Sequence, residues 1–272
     1  MREERSRGFT ADSVPEAYER FMAPQLFEPW ARELVGLAQL PGGSSVLDVA
    51  SGPGTVARLA ASAVGPGGRV VASDISAAML VIAASKPVDP AWAQIEYLEC
   101  SVAAIEAAEG TFDAVLCQQG LQFFPDRGGA VQEMCRVTRR DGSVLVSTWA
   151  SERPLGLFGP MTEVLQDAGM DEPYPRAFDP QSYTLSAAEL RRLLSEANLR
   201  EVAVETVELD AVWHNAEEAV ATVMGTPYAP GVRALPAETQ QRVRALFAGR
   251  LGQSPDGTVI IRTTSHIGRG VR

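Results

Sequence analysis

Residues 47 to 57, "LDVASGPGTVA", place Asp48 near the end of an apolar run and two glycines, Gly52 and Gly54, just after it. Glycines spaced in this way let backbone N–H groups approach a ligand that a Cβ would hold off, and they allow positive φ. A second apolar run further along ends in another acid, Asp74. A carboxylate beside a glycine-rich turn repels an anionic ligand and favours one with cationic groups. The chemistry to be explained is therefore a close backbone approach with two acids around it.

Two ligands compete on the residues alone. Gly52, Gly54 and Ala57 satisfy the dinucleotide pattern G-x-G-x-x-G/A, with Asp74 where a ribose-binding acid belongs, which describes an NAD(P)-dependent oxidoreductase. S-adenosylmethionine also carries a ribose, but has an amino group and a sulfonium in place of a pyrophosphate. Asp48 favours the second ligand. A protein that binds this ligand without transferring a methyl group, such as a regulator or a cyclase, fits the same residues.

These residues need a scaffold. Short runs rich in Val, Ile and Leu at 44–50, 69–74, 93–99, 112–118 and 142–149 read as strands buried on both faces of a parallel sheet. Helix patterns at 54–64, 76–85 and 126–139 separate them, which predicts a doubly wound α/β sheet. Residues 151 to 182 are rich in Pro, Gly and aromatics and read as a long connection. A capping-box spacing from Ser186 to Glu189 then opens a helix over 186–199, followed by a strand over 201–213. Helices near 216–224 and 236–249 and a final strand over 257–266 complete the pattern.

Composition narrows the function classes. The formal net charge is -10, from 24 Lys and Arg against 34 Asp and Glu, with no concentrated basic tract for nucleic acid. No window approaches the roughly 18 apolar residues of a membrane span, and the charged N-terminus has no secretory apolar core. Cys100, Cys117 and Cys135 show no C-x-x-C spacing, so neither a disulfide scaffold nor a metal site is expected, and a reducing cytoplasm fits.

Four segments in order resemble the class I S-adenosylmethionine-dependent methyltransferases, in a small-molecule branch related to the quinone-biosynthesis enzymes. They are the glycine segment, "SDISAAML" (73–80), "FDAVLCQQGLQFFPD" (112–126) and "MCRVTRRDGSVLVSTW" (134–149), within about residues 40 to 150. The resemblance implies a Rossmann-like, mostly parallel seven-stranded sheet with an antiparallel last strand, plus helical cap elements. It implies S-adenosyl-L-methionine as cofactor, held by Asp48, Ala50, Ser51, Gly52, Gly54, Asp74, Ile75, Met79, Ser101, Val102, Cys117 and Gln118. Within that set Asp74 meets the ribose, Met79 packs on adenine, and the Val102 N–H reaches the ring. Two positions depart from the family: Ala50 where glycine is common, and Ser101 where an aspartate usually meets the adenine amino group.

Methyl transfer needs the acceptor held in line with the methyl carbon, and a base only if the acceptor must lose a proton. Tyr18, which the resemblance sets over the sulfonium, and His214 are the catalytic candidates, with His266 a further histidine at a strand end. Gln119, Gln122 and Phe123, at the carboxyl end of the fourth strand, are the candidates for holding a small-molecule methyl acceptor. The expected organisation is cap helices over 1–40, a cofactor-binding core over 41–150, and completion of the sheet over 151–272. Insertions at 151–182 and 214–256 would then form a hydrophobic acceptor cavity or the surface of a homo-oligomer.

Overall fold

In the computed structural model, the described residues are 18–20, 22–152, 156–169, 183–223 and 229–272. Parts of the expected cap segments, namely 1–17, Phe21, 153–155, 170–182 and 224–228, lie outside them. The strands are β1 (Ser45–Val49), β2 (Arg69–Asp74), β3 (Gln94–Glu99), β4 (Phe112–Gln118), β5 (Thr138–Trp149), β6 (Arg200–Trp213) and β7 (Val259–Val271). The helices are α1 (Glu28–Ala38), α2 (Thr55–Val64), α3 (Ala77–Ser85), α4 (Arg127–Val137), α5 (Phe158–Asp167), α6 (Ala187–Glu196), α7 (Ala216–Val223), α8 (Ala229–Ala234) and α9 (Ala237–Arg250).

The strands form one sheet in the order β3-β2-β1-β4-β5-β7-β6. Pairing is parallel from β3 through β5, and β7 runs antiparallel to β5, from Ser143 opposite Val271 to Trp149 opposite Ser265. This is the Rossmann-like sheet with a reversed last strand. The order turns outward in both directions from the β1–β4 pair, so the carboxyl ends of these two strands border a crevice where ligands bind in open α/β sheets.

The chain divides into two compact units. One takes the described parts of Met1–Pro29, Ser151–Tyr183 and Glu208–Thr264; the other holds Trp30–Ala150, Thr184–Val207 and Ser265–Arg272. In the second unit, Leu47, Val49, Val71, Val115 and Cys117 join Val131 and Met134 of α4 and Leu190 and Leu194 of α6 in one core. Helix α2 buries Val56, Ala57, Ala60, Ala61 and Val64, the face its apolar spacing presents. Capping fixes where helices begin: Ser76 accepts from Met79 N, Asp126 from Gly129 N, and Ser186 from Glu189 N.

In the first unit, α9 packs on α5 and α7, with Val243 and Phe247 buried. Arg250 of α9 pairs with Glu163 at 2.8 Å and with Asp167 of the same helix, α5. Trp213 Nε1 donates to Thr222 Oγ1 at 2.8 Å. Ala23–Phe27 form one π-helical turn ahead of α1.

Three expectations need correcting. The span 151–182 is more than a connection, because α5 lies within it. Pro160 occupies the first turn of α5, where no intrahelical N–H is required, so it does not break the helix. The last strand runs on to Val271, so His266 lies inside β7 and not at its end. Finally, β5 begins at Thr138, four residues before the apolar run that signals it.

Candidate active site

The loop after β1 takes three left-handed residues in five positions: Ala50 (φ 56°), Gly52 (φ 52°) and Gly54 (φ 82°). Gly54 then caps α2. Two of these positions suit glycine; Ala50 holds a conformation costing a residue with a Cβ about 1–2 kcal/mol. The shape is fixed from both sides. Ser51 N donates to Ser73 O at 3.0 Å, and Gly54 N to Ser51 O at 2.9 Å. Gly52 N donates to Asp74 Oδ2 at 2.8 Å. A Cβ built on Gly52 would meet no atom of the described residues within 4 Å, so that side of the loop is open among them.

Asp48 is buried and accepts from Ala57 N, in the first turn of α2, at 2.9 Å. Burial pushes its carboxyl well above the usual carboxylate range; the Ala57 N–H opposes this and the charge of Asp74 adds to it. One oxygen of this acid therefore braces the helix start, a role that charge arguments from sequence did not supply. Asp74 is also pushed up by burial, against the hydrogen bonds it accepts from Ser76 N and Gly52 N. Its Oδ2 ties the end of β2 to the glycine loop, while Oδ1 accepts from Ser76 N at 2.8 Å.

Around the end of β2, Ile75 leaves 58% of its surface exposed while Met79 is buried. An exposed branched apolar side chain directly after the ribose candidate offers a face for a purine ring. Ser101 Oγ accepts from Ala103 N at 3.2 Å, so its hydroxyl caps the short turn that Val102 begins. Ser51 Oγ is buried with no hydrogen-bond partner among the described residues.

The end of β4 stands next to this loop. Cys117 is fully buried, and burial, followed by the charge of Asp48, pushes its thiol up to about 12, which makes it an inert wall. Gln118 is half-buried and pairs in register with Ser147 of β5. Gln119 takes φ 52°, donates from its backbone to Ser147 O at 2.9 Å, and is buried. Its side chain reaches Ser265 Oγ of β7 at 2.7 Å and accepts from Gln122 Nε2 at 3.3 Å. Phe123 closes the short turn Leu121–Phe123 and is half-buried. Ser265 escaped the sequence reading, since nothing local in "TTSH" signals a partner 146 residues away.

Tyr18 and His214 belong to the other unit. The Tyr18 ring stacks on Phe27, with centroids 4.8 Å apart. The His214 side chain is 85% exposed and its Nδ1 lies 3.0 Å from Glu218 Oε2. Glu218 also accepts from His214 N, and Asn215 Oδ1 accepts from Glu218 N, so His214 sits in the capping arrangement of α7. His266 is buried with Nδ1 2.9 Å from Thr206 Oγ1.

Residues 46–142 match the family model described as a methyltransferase domain. The ubiquinone/menaquinone biosynthesis C-methyltransferase UbiE of Xylella fastidiosa (strain M12) is 34% identical over 126 residues, which is 46% of this chain and 50% of that protein. The chain thus spans about half the length of the curated relatives it matches. Among solved structures, a Haemonchus contortus phosphoethanolamine N-methyltransferase 2, in complex with phosphomonomethylethanolamine and S-adenosylhomocysteine, superposes with TM-score 0.62 at 16% identity. That match covers all of this chain and 59% of the other. An S-adenosylmethionine-dependent methyltransferase of Aquifex aeolicus gives 0.53 at 15% identity, covering 92% of this chain and 97% of the other. The resemblance to class I S-adenosylmethionine-dependent methyltransferases stands on the matched segment, and the fold on the superpositions.

Proposed function

We propose that the chain is an S-adenosylmethionine-dependent methyltransferase acting on a small hydrophobic or aromatic molecule. The observation that carries this reading is the loop Ala50–Gly54, open on the Gly52 side and framed by the buried Asp48 and the half-buried Asp74. The residues fit the cofactor. A carboxylate has about four lone-pair sites, and the Gly52 and Ser76 N–H groups each take one on Asp74. The remaining sites on Asp74 can receive ribose hydroxyls. Ile75 would lie against adenine, Met79 would back it, and the orphaned Ser51 hydroxyl would gain a polar partner. Asp48 braces the loop from behind by accepting from Ala57 N at the start of α2.

When bound, the cofactor supplies a methyl group on a positively charged sulfonium. The chain's own task is to hold the acceptor in line and keep water out, which can contribute up to about 7–11 kcal/mol of barrier lowering. We assign neither His214 nor the thiols a part in this chemistry. The named activity of the Xylella relative motivates quinone-like rings as one acceptor class, and phenols, indoles and amines complete a panel for incubation with isotopically labelled cofactor.

S-adenosylmethionine and S-adenosylhomocysteine should each raise the melting temperature while NADH does not. A ligand at a hundredfold excess over Kd stabilises the native state by about 2.7 kcal/mol. A shift with NADH alone would replace this reading with an oxidoreductase.

A further inference from the structure

Gln119, Gln122 and Ser265 form a polar chain inside the sheet unit, and it has a direction. Gln122 Nε2 donates to Gln119 Oε1, and Gln119 Nε2 donates to Ser265 Oγ. Both donations run from Gln122 toward β7. The free end is therefore an acceptor: Gln122 Oε1, which has no hydrogen-bond partner among the described residues, in a residue only 3% exposed. Ser147 Oγ, also buried without a partner, shares a sheet face with Ser265, because Trp149 opposite Ser265 lies two residues beyond Ser147.

Burying an acceptor without a donor is costly, and buried polar groups are as a rule satisfied. The backbone adds a second cost at the same place, since Gln119 is held left-handed at φ 52°. Strain of this sort persists where the surroundings impose it and collects at functional sites. These features lie at the carboxyl ends of β4 and β5, next to the Ala50–Gly54 loop, where a methyl acceptor has to sit.

We propose that Gln122 Oε1 selects the acceptor by receiving a hydrogen bond from its O–H or N–H group, with Gln119 and Ser265 as positioning residues. This rests on the methyltransferase reading above. The acceptor class is a neutral, protic molecule. A carbonyl or ether oxygen at that point would meet acceptor with acceptor. The chain of two amides and a hydroxyl carries no charge to pair with an ion, and the neighbouring Arg127, which donates to Gln122 O at 3.1 Å, is paired with Glu189.

The test uses the full chain saturated with S-adenosylhomocysteine and titrated calorimetrically with para-cresol and para-xylene, which differ by hydroxyl against methyl. Para-cresol should bind about tenfold more tightly, the scale for meeting an otherwise unpaired buried acceptor. Gln122→Met should bring the ratio to about one while leaving the S-adenosylhomocysteine Kd unchanged. Ser265→Ala, a smaller change that keeps the test open if the methionine variant fails to fold, should lower the ratio about two- to threefold by loosening Gln119. Equal affinity for the two probes in the wild-type protein, as expected if water alone fills the site, overturns the proposal. No cresol binding, or a preference that survives Gln122→Met, also overturns it. Loss of S-adenosylhomocysteine affinity in Gln122→Met would give the amide to the cofactor instead. Failure of the wild-type chain to bind S-adenosylhomocysteine at all is a separate result, which removes the methyltransferase reading itself.

Discussion

Gly120 lies where the turn after β4 passes the loop after β1. A Cβ built on it would stand 2.8 Å from Ala50 Cβ and 2.9 Å from Cys117 Sγ. Its backbone, at φ -97° and ψ -42°, suits any residue, so Gly120→Ala tests space and not conformation. Overpacking of this kind costs about 1–3 kcal/mol. Stiffening the unfolded chain returns about 0.4–1 kcal/mol, leaving a net loss of about 1–2 kcal/mol. Ala50→Gly removes the opposing methyl group. Alone, it relieves about 1–2 kcal/mol of left-handed strain and gives back about 0.5–1 kcal/mol in chain entropy, so it should stay within about 1 kcal/mol of wild type. Together, the two changes should recover about 1 kcal/mol relative to their sum, within the usual range for contacting sites. Recovery stays incomplete because Cys117 Sγ remains in the way. Urea unfolding of the four proteins measures this directly. Strict additivity would mean that the two loops do not touch as described, and a harmless Gly120→Ala would refute the packing argument altogether.

Further outcomes follow from the same residues. Asp74→Ala should weaken S-adenosylhomocysteine binding by about 1.5–3 kcal/mol, the range for hydrogen bonds to a charged group, and should also destabilise the free protein by releasing Gly52 N and Ser76 N. Unchanged affinity in a folded variant would remove the ribose role. For Asp48, burial raises the folded-state pKa, so the folded chain holds this proton more tightly than the unfolded one. Its contribution is fully present below the unfolded value of about 3.9 and is lost as pH rises through the raised folded value. Asp48→Asn keeps an oxygen for the Ala57 N–H and should flatten that decline in denaturation curves taken at stepped pH; equal slopes would discard the assignment. Cys117, with its thiol pushed up to about 12, should resist iodoacetamide in the native state at about pH 8 and react once unfolded. Rapid native labelling would contradict its burial.

The sequence was most informative where strands are buried on both faces. The runs 69–74 and 112–118 match β2 and β4 to the residue, because continuous Val, Leu and Ala between turn residues leave little freedom in where a strand ends. It was least informative where tertiary contacts override local pattern. Gly268 and Gly270 lie beyond the strand expected over 257–266, yet β7 runs through both. A Cβ at Gly268 would stand 2.6 Å from Leu194 Cδ1, and one at Gly270 2.8 Å from Leu199 Cβ. The glycines there make room for α6 and the chain after it. In the site, the glycine loop and its two acids could be read from type and spacing. The bonds from Asp48 to the start of α2 and from Gln119 to Ser265 could not, since both depend on which way a side chain turns inside the folded sheet.

The sheet order has a consequence for synthesis. Strand β6 is made before β7, yet β7 is its neighbour in the sheet, lying between it and β5. A growing chain must therefore carry β6 unpaired while everything from His214 to Thr258 is added, a matter of seconds at about 5–20 residues per second. An unpaired strand is a template for a second nascent copy. The sequence of β6, "REVAVETVELDAVW", carries Glu201, Glu205, Glu208 and Asp210 among its valines, all four exposed. Two such strands laid edge to edge would set like charges against each other. The acids that later face solvent at the sheet margin thus protect the chain during the interval before its partner strand arrives.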